Sequence, residues 1–461
     1  MAETKLNNGG PKIKNLKKEE KMMKKLRSLM VGGLALGLAV ALAAGACAPA
    51  AAEAKKEVRI AVLYSITGAL APAGGLAEYR SSKLLIDWIN ERGGVLGEWK
   101  IIPFYADNQS SPDVAIREAE RMITVNNVHV VSGFYSSAIA TPVAPICEKH
   151  KVIFWDNGAI SEKITEGRHL QYCFQPQVNA AKFMETVVLI ANNCKKLGVA
   201  SPAEIKGAVF YEDGPYGTST GAACVAKMKE VGMPLVYEAG YAHDIMDMSA
   251  VILKLKAANA DVLFHVGYYP DIVLFLKQAR ELGLKWKALL GHGAGYADMP
   301  VIAGAVGKDV VNYVFNVDPP ASQYLDPAKL TPEVNEAIKV FSKGLLELYK
   351  EKDPRTHYSM GFGNFWILLE KVLPLAIKKY GDVTPDTIRM ACREIDIPAG
   401  GTPMGYGCKF LPPEDEHAGQ NLRSFTNVFQ YVDGKWKIVW PEAVKTAEPV
   451  LPLPPGHVFA K

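Results

Sequence analysis

The sequence predicts an α/β fold made of two successive parallel-sheet units. Short, continuous apolar runs alternate with amphipathic helical patterns, as they do when buried strands lie between two layers of helices. The alternation occurs twice, over about 57–175 and 179–300, without a residue-level repeat. Small hydroxyl and aromatic residues gather just past the ends of the apolar runs, where open α/β sheets bind their ligands.

Taken in order, Val58-Arg59-Ile60-Ala61-Val62-Leu63 reads as the first strand and ends at the turn signal Thr67-Gly68. A helix is expected from Ser81 to Arg92, with Leu84, Leu85, Trp88 and Ile89 on one face and Gly93-Gly94 as its stop. Further strands are expected at 128–131, 152–155, 207–211, 262–266 and 288–290. The intervening helices are expected at 114–124, 180–197, 218–231, 248–258 and 272–282. Long helical patterns follow at 332–349, 360–379 and 385–394. Asp433-Gly434 between the alternating runs 426–432 and 435–440 predicts a hairpin. The Pro-rich stretch 448–455 reads as an irregular surface segment.

The 461 residues are 49% hydrophobic and 22% charged, an ordinary globular balance. The formal charge of +4 is concentrated at the N-terminus. Residues 1–28 carry nine Lys/Arg and three Glu, which leaves 43 basic and 45 acidic side chains in the remainder. No basic surface is left over for nucleic acid. Lys24, Lys25 and Arg27 precede an uncharged apolar run, 29–46, as in a signal peptide, with a retained membrane anchor as the alternative. Ala44-Gly45-Ala46-Cys47 resembles a lipobox, so Cys47 is the expected lipidation site; simple cleavage near Ala48-Pro49-Ala50 is the other option. No other segment is read as long and apolar enough to cross a membrane. The six remaining cysteines permit disulfides in an exported chain and equally suit buried free thiols.

Motifs of catalysis are absent: there is no HExxH, no CxxC pair, no P-loop and no G-x-S-x-G elbow. Gly291-His292-Gly293-Ala294-Gly295 follows a strand, but Tyr296 stands where a dinucleotide fingerprint needs glycine. Cys147 and His150 lack a third metal ligand, and Glu414-Asp415-Glu416-His417 reads as a solvated loop. No metal or cofactor is expected. The candidate ligand-binding residues are those at strand ends: Tyr64, Ser136, Ser137, Trp155, Ala159, Ser161, Tyr216, Tyr268 and Gly293.

Over about 57–440 the sequence resembles the type I periplasmic binding proteins of the leucine/isoleucine/valine-binding class. The resemblance rests on Ile89-Asn90-Glu91-Arg92-Gly93-Gly94-Val95-Leu96-Gly97, Asp107-Asn108, Ser136-Ser137, Gly158-Ala159 and Tyr216-Gly217. Met248-Ser249-Ala250, Asn259-Ala260-Asp261, Gly267-Tyr268-Tyr269-Pro270 and Gln278-Ala279-Arg280 complete it. It implies a two-lobed fold with three crossovers that closes on a small molecule by a hinge motion. It implies lobe 1 at 57–176 plus 312–410 and lobe 2 at 177–311 plus 411–445; the residues themselves read as a signal peptide at 1–46, a linker at 47–56 and a Pro-rich tail at 446–461. It places a carboxylate cradle at Ser137 and Ala159 and second-lobe aromatic contacts at Tyr216 and Tyr268.

The sequence departs from the family's amino-acid binders at four positions. Gly293 stands for the acid that meets the α-ammonium, Ile160 for a Thr, Ala73 for a Tyr and Ser136 for a Cys. The expected ligand is therefore an organic carboxylate, aromatic acid or amide. A branched-chain or other hydrophobic amino acid is the alternative, with Asp156 or Glu212 supplying the missing charge. The expected role is the solute-binding component of an ABC importer, a monomer outside the cytoplasmic membrane that partners a permease. An exported enzyme lacks its nucleophile–base set here, and a receptor ectodomain lacks a second span and an output domain.

Overall fold

The computed structural model describes residues 56–352 and 355–461, without the side chain of residue 73. The expected signal peptide, Cys47 and nearly all of the linker lie outside the described residues.

Two sheets organise the chain. The first contains β1 (Glu57–Tyr64), β2 (Lys100–Asp107), β3 (Val130–Gly133), β4 (Ile153–Asp156) and β5 (Cys173–Phe174). Their order is β2-β1-β3-β4-β5, every pair parallel. The second contains β6 (Gly207–Glu212), β7 (Leu235–Tyr241), β8 (Val262–Val266), β9 (Ala288–His292), β10 (Phe315–Asp318), β11 (Asn427–Val432) and β12 (Lys435–Trp440), in the order β12-β11-β10-β9-β8-β6-β7. It is parallel from β7 to β10 and antiparallel through the hairpin β11–β12.

Four apolar clusters explain the continuous apolar strands. Val58, Ile60 and Val62 face one cluster while Ala61 and Leu63 face another on the opposite side of the first sheet. In the second sheet Val209, Val262 and Leu290 face one cluster, and Ala208, Phe210 and Leu289 the other. Successive strand residues point to opposite faces, so a strand covered on both sides reads as unbroken hydrophobicity.

The helix Leu76–Glu91 packs on the first sheet together with Thr356–Ile367, whose residues are all buried. The run Thr356–Tyr380 is long and apolar enough to cross a membrane by composition, which corrects the expectation that no such segment follows the leader. Its apolarity serves the core of the first lobe, where Phe362, Phe365, Trp366 and Leu369 are fully buried.

The chain passes between the lobes three times: after β5, after β10 and before β11. The first and third passages are stitched together, with Gln175 N–H donating to Gly419 O and Asn421 N–H to Gln175 O. β10 falls within the segment expected for lobe 1, yet it pairs with β9 and β11 in the second sheet. The return to the first lobe follows Asp318 rather than preceding it. The C-terminal tail also differs from expectation. Leu451, Leu453 and Phe459 are buried, Phe459 stacks on Trp286 with ring centroids 4.0 Å apart, and Trp286 N–H donates to Phe459 O. All six described cysteines are buried free thiols, without a disulfide among them.

Candidate ligand cleft

A narrow cleft lies between the two sheets' strand ends. From the first lobe it is lined by Tyr135, Ser137, Gly158, Ile160, His357 and Met360. From the second lobe and the crossovers it is lined by Phe183, Tyr216, Tyr268, Ala294 and Asp318.

The first-lobe wall is set by two strand-to-helix turns. After β3 the chain is extended at Ser136 and enters the helix Ser137–His150, whose first-turn N–H groups favour negative charge. After β4, Asp156 Oδ1 accepts from the N–H groups of Gly158 (3.1 Å) and Ala159 (2.9 Å), and Oδ2 from Gln175 Nε2 (3.1 Å). That carboxyl shapes the loop from below and is consumed by it. Burial pushes its pKa up to about 8, against the lowering effect of these hydrogen bonds. Ser161 N–H then donates to Ser137 Oγ at 3.2 Å, which leaves the Ser137 hydroxyl proton free to be offered elsewhere. A Cβ on Gly158 would stand 2.6 Å from Glu78 Oε2. Glu78 is buried, and its carboxyl oxygens have no partner among the described residues.

The second-lobe wall is aromatic. Tyr216 sits in the first turn of the helix Pro215–Glu230 and donates its hydroxyl to His292 O. Tyr268 precedes the helix Tyr269–Glu281, and its hydroxyl is 3.1 Å from Ser136 Oγ across the cleft. The rings of Tyr216 and Tyr135 lie 5.2 and 5.9 Å from that of Tyr268. Tyr135 meets His357 edge-on at 5.1 Å. Burial, with Arg355 nearby, pulls the His357 ring down to about 3 and keeps it neutral.

Asp318 is the acidic side chain of the cleft. It ends β10 and is 2% exposed, with Asn316 Nδ2 donating to Oδ2 at 2.9 Å. Asn316 Oδ1 in turn accepts from Gly293 N–H at 2.8 Å. No ion pair to Asp318 occurs among the described residues. Burial holds its carboxyl well above the usual range, and the Asn316 bond only partly opposes that.

Of the strand-end candidates, Ser137, Tyr216 and Tyr268 line the cleft. Ser136, Ala159, Ser161 and Gly293 flank it through the bonds just described. Tyr64 and Trp155 do not reach it. Tyr64 OH meets Ser82 Oγ (2.9 Å) and accepts from Asn157 Nδ2 (2.8 Å), while Trp155 Nε1 donates to Asn364 O (3.2 Å). Both side chains point into the helical layer of the first lobe. Glu212 caps its own helix by accepting from Gly214 and Gly217 N–H, so neither it nor Asp156 is the free charge. Asp318, Phe183, Tyr135, His357 and Met360 were not read from the sequence. Asp318 carries the strand-end signal used elsewhere, but its four-residue strand was not recognised.

The sequence matches the family model described as periplasmic binding protein over residues 57–428. The chain belongs to the periplasmic binding protein family. A curated relative, Leu/Ile/Val-binding protein homolog 7 of Brucella abortus, is 34% identical over 397 residues, covering 86% of this chain and 94% of the relative. Two solved structures share the fold of this periplasmic binding protein. The branched-chain amino acid transporter substrate binding protein LivJ from Streptococcus pneumoniae, in complex with isoleucine, is 17% identical with a TM-score of 0.64, covering 86% of this chain and 100% of that one. An R. palustris ABC transporter solute binding protein in complex with 4-hydroxybenzoate is 19% identical with a TM-score of 0.64, covering 83% and 95%. The periplasmic binding protein is thus a two-lobed ligand binder of the Leu/Ile/Val-binding type and not an enzyme.

Proposed function

We propose that this binding protein captures a zwitterionic α-amino acid with an apolar, branched side chain and hands it to the permease of an ABC importer. Asp318 carries the reading. Without a cationic neighbour, burial holds its carboxyl toward the neutral form, and a ligand ammonium group is the partner that would favour its charged form. Ser137 and the helix N-terminus behind it suit the ligand carboxylate at the opposite pole. Ile160, Phe183 and Met360 supply an apolar wall for the side chain. The relative named for leucine, isoleucine and valine and the neighbour holding isoleucine agree with this reading.

The premise behind an ammonium-free ligand was that Gly293 left the cleft without an acid. Asp318 removes that premise. An aromatic carboxylate keeps one observation in its favour, the cluster of Tyr135, Tyr216 and Tyr268. Calorimetry of the purified protein against leucine, isoleucine, valine, 4-methylpentanoate and 4-hydroxybenzoate separates the two. Tight binding confined to the amino acids is expected; 4-hydroxybenzoate binding more tightly than all three would overturn the proposal. In this reading the basic residues and apolar run 29–46 direct export, and Cys47 anchors the protein outside the cytoplasmic membrane.

A further inference from the structure

The two lobes touch at both ends of the cleft, and the contacts at the two ends differ in kind. Beside Gly158 and Ile160 the contacts are neutral or use a hydroxyl acceptor: Ser161 Oγ to Ser219 Oγ at 2.6 Å, and Lys163 Nζ donating to Thr218 Oγ1 at 2.7 Å. Beside Ala294 and His357 the contact is an ion pair. Arg355 Nη1 donates to Asp298 Oδ1 at 2.5 Å. Arg355 precedes the first-lobe helix Thr356–Ile367, and its guanidinium also donates to Pro72 O and lies over the Tyr358 ring. Asp298 precedes the second-lobe helix Met299–Val306. The Asp298 side chain is 1% exposed and that of Arg355 is 20% exposed. Asp298 Oδ2 has no partner among the described residues.

We infer that Arg355 and Asp298 form a clasp that is made only when the lobes close, and that it sets how long the closed state lasts without touching the ligand. Each partner belongs to a different lobe, so hinge opening must break the pair and return both charges to water. Desolvation nearly cancels the attraction in a buried pair, whereas removing one partner strands the other charge. A clasp of this kind leaves the empty protein closed for part of the time rather than shutting it outright. It does penalise any closed state in which it is incomplete. Arg355 is therefore a positioning residue: its loss shows in ligand release more than in capture.

Stopped-flow binding of leucine, which rests on the ligand reading above, gives the kinetic test. Arg355→Met is expected to raise the release rate by about 10–100-fold with a much smaller change in the association rate. Arg355→Met combined with Asp298→Asn is expected to bring release back to within a few-fold of the native protein. An unchanged release rate in Arg355→Met, or no recovery in the double variant, overturns the clasp. Failure of leucine to bind the native protein would instead count against the ligand reading. The clasp is then judged without ligand by spin labels at Lys254→Cys and Lys339→Cys, exposed sites on opposite lobes; the buried native thiols are poor labelling sites. A short-distance population that shrinks in Arg355→Met and returns in the double variant supports the clasp, and identical distributions in all three proteins overturn it.

Discussion

Asp318 Oδ1 lies 3.5 Å from the point where a Cβ on Gly293 would stand. In the proposed reading, this acid from the neighbouring strand stands in for the one that the family resemblance leads one to expect at that turn. Gly293 has φ +57, and its Cβ would also meet the Phe183 ring at 2.8 Å, so the position is closed to larger residues. Asp318→Asn is expected to weaken leucine binding by about 2–5 kcal/mol, the usual cost of removing one member of a buried charge pair. Binding of 4-methylpentanoate should not weaken. Calorimetry on both ligands checks the contrast; retained leucine affinity would place the ammonium partner elsewhere.

Gly158 and Glu78 compete for one space. Gly158→Ala is expected to destabilise the protein by about 1–3 kcal/mol, as overpacking does. In a Glu78→Ala background the same change should cost much less, because the obstructing carboxyl is gone. A denaturant double-mutant cycle measures this coupling, and additive effects would show that the steric account fails.

Phe459 is fully buried against Trp286, and Lys461 Nζ reaches Asp261 Oδ1 at 3.1 Å. Phe459→Ala is expected to cost about 3–5 kcal/mol in chemical denaturation. A change below 1 kcal/mol would show that the tail contributes little to the second-lobe core.

Stability should fall as pH rises from about 6.5 to 8, the reverse of ordinary acid denaturation. Burial raises Asp156 to about 8 and Asp271 to about 7. In the unfolded chain these carboxyls titrate near ~3.9. The folded state holds protons that the unfolded state has lost, so the stability these groups give is complete below that value. It is lost as pH climbs through their folded values. His129 and His292, each lowered to about 4, act in the opposite sense, but only below about 6.5. Each carboxyl contributes at most about 1.4 kcal/mol per pH unit. Melting temperatures across this range should decline, and Asp156→Asn should flatten the decline near pH 8.

The layered α/β architecture was legible because both sheets are buried on both faces, so 57–63, 262–266 and 288–290 stand out as apolar runs. Ser137, Tyr216 and Tyr268 were legible because each begins a helix directly after a strand, which fixes its place at the sheet's ligand-binding edge. Position along a strand does not reveal which face a side chain takes, and Tyr64 and Trp155 turn into the core for that reason. β7 was missed because it is an edge strand whose exposed and half-buried residues break the apolar run. β10 was missed because four residues after a helical turn carry too little periodicity, and Asp318 was lost with it. The tail was misjudged because prolines hide the apolar spacing of Leu451, Leu453 and Phe459.

β10 joins the second sheet and leads at once into a crossover, so Asp318 stands at the fulcrum of the two lobes. A group at a fulcrum travels least when a lever swings. In a hinge closure of the kind the family resemblance implies, Asp318 would therefore travel less than Ser137, which is carried on the first lobe. Under the proposed ligand reading, the cationic end would meet the less mobile anchor and the anionic end the moving jaw. Under that reading recognition would be divided in time as well as in space, with charge admitting the molecule at one end before the other end closes on it.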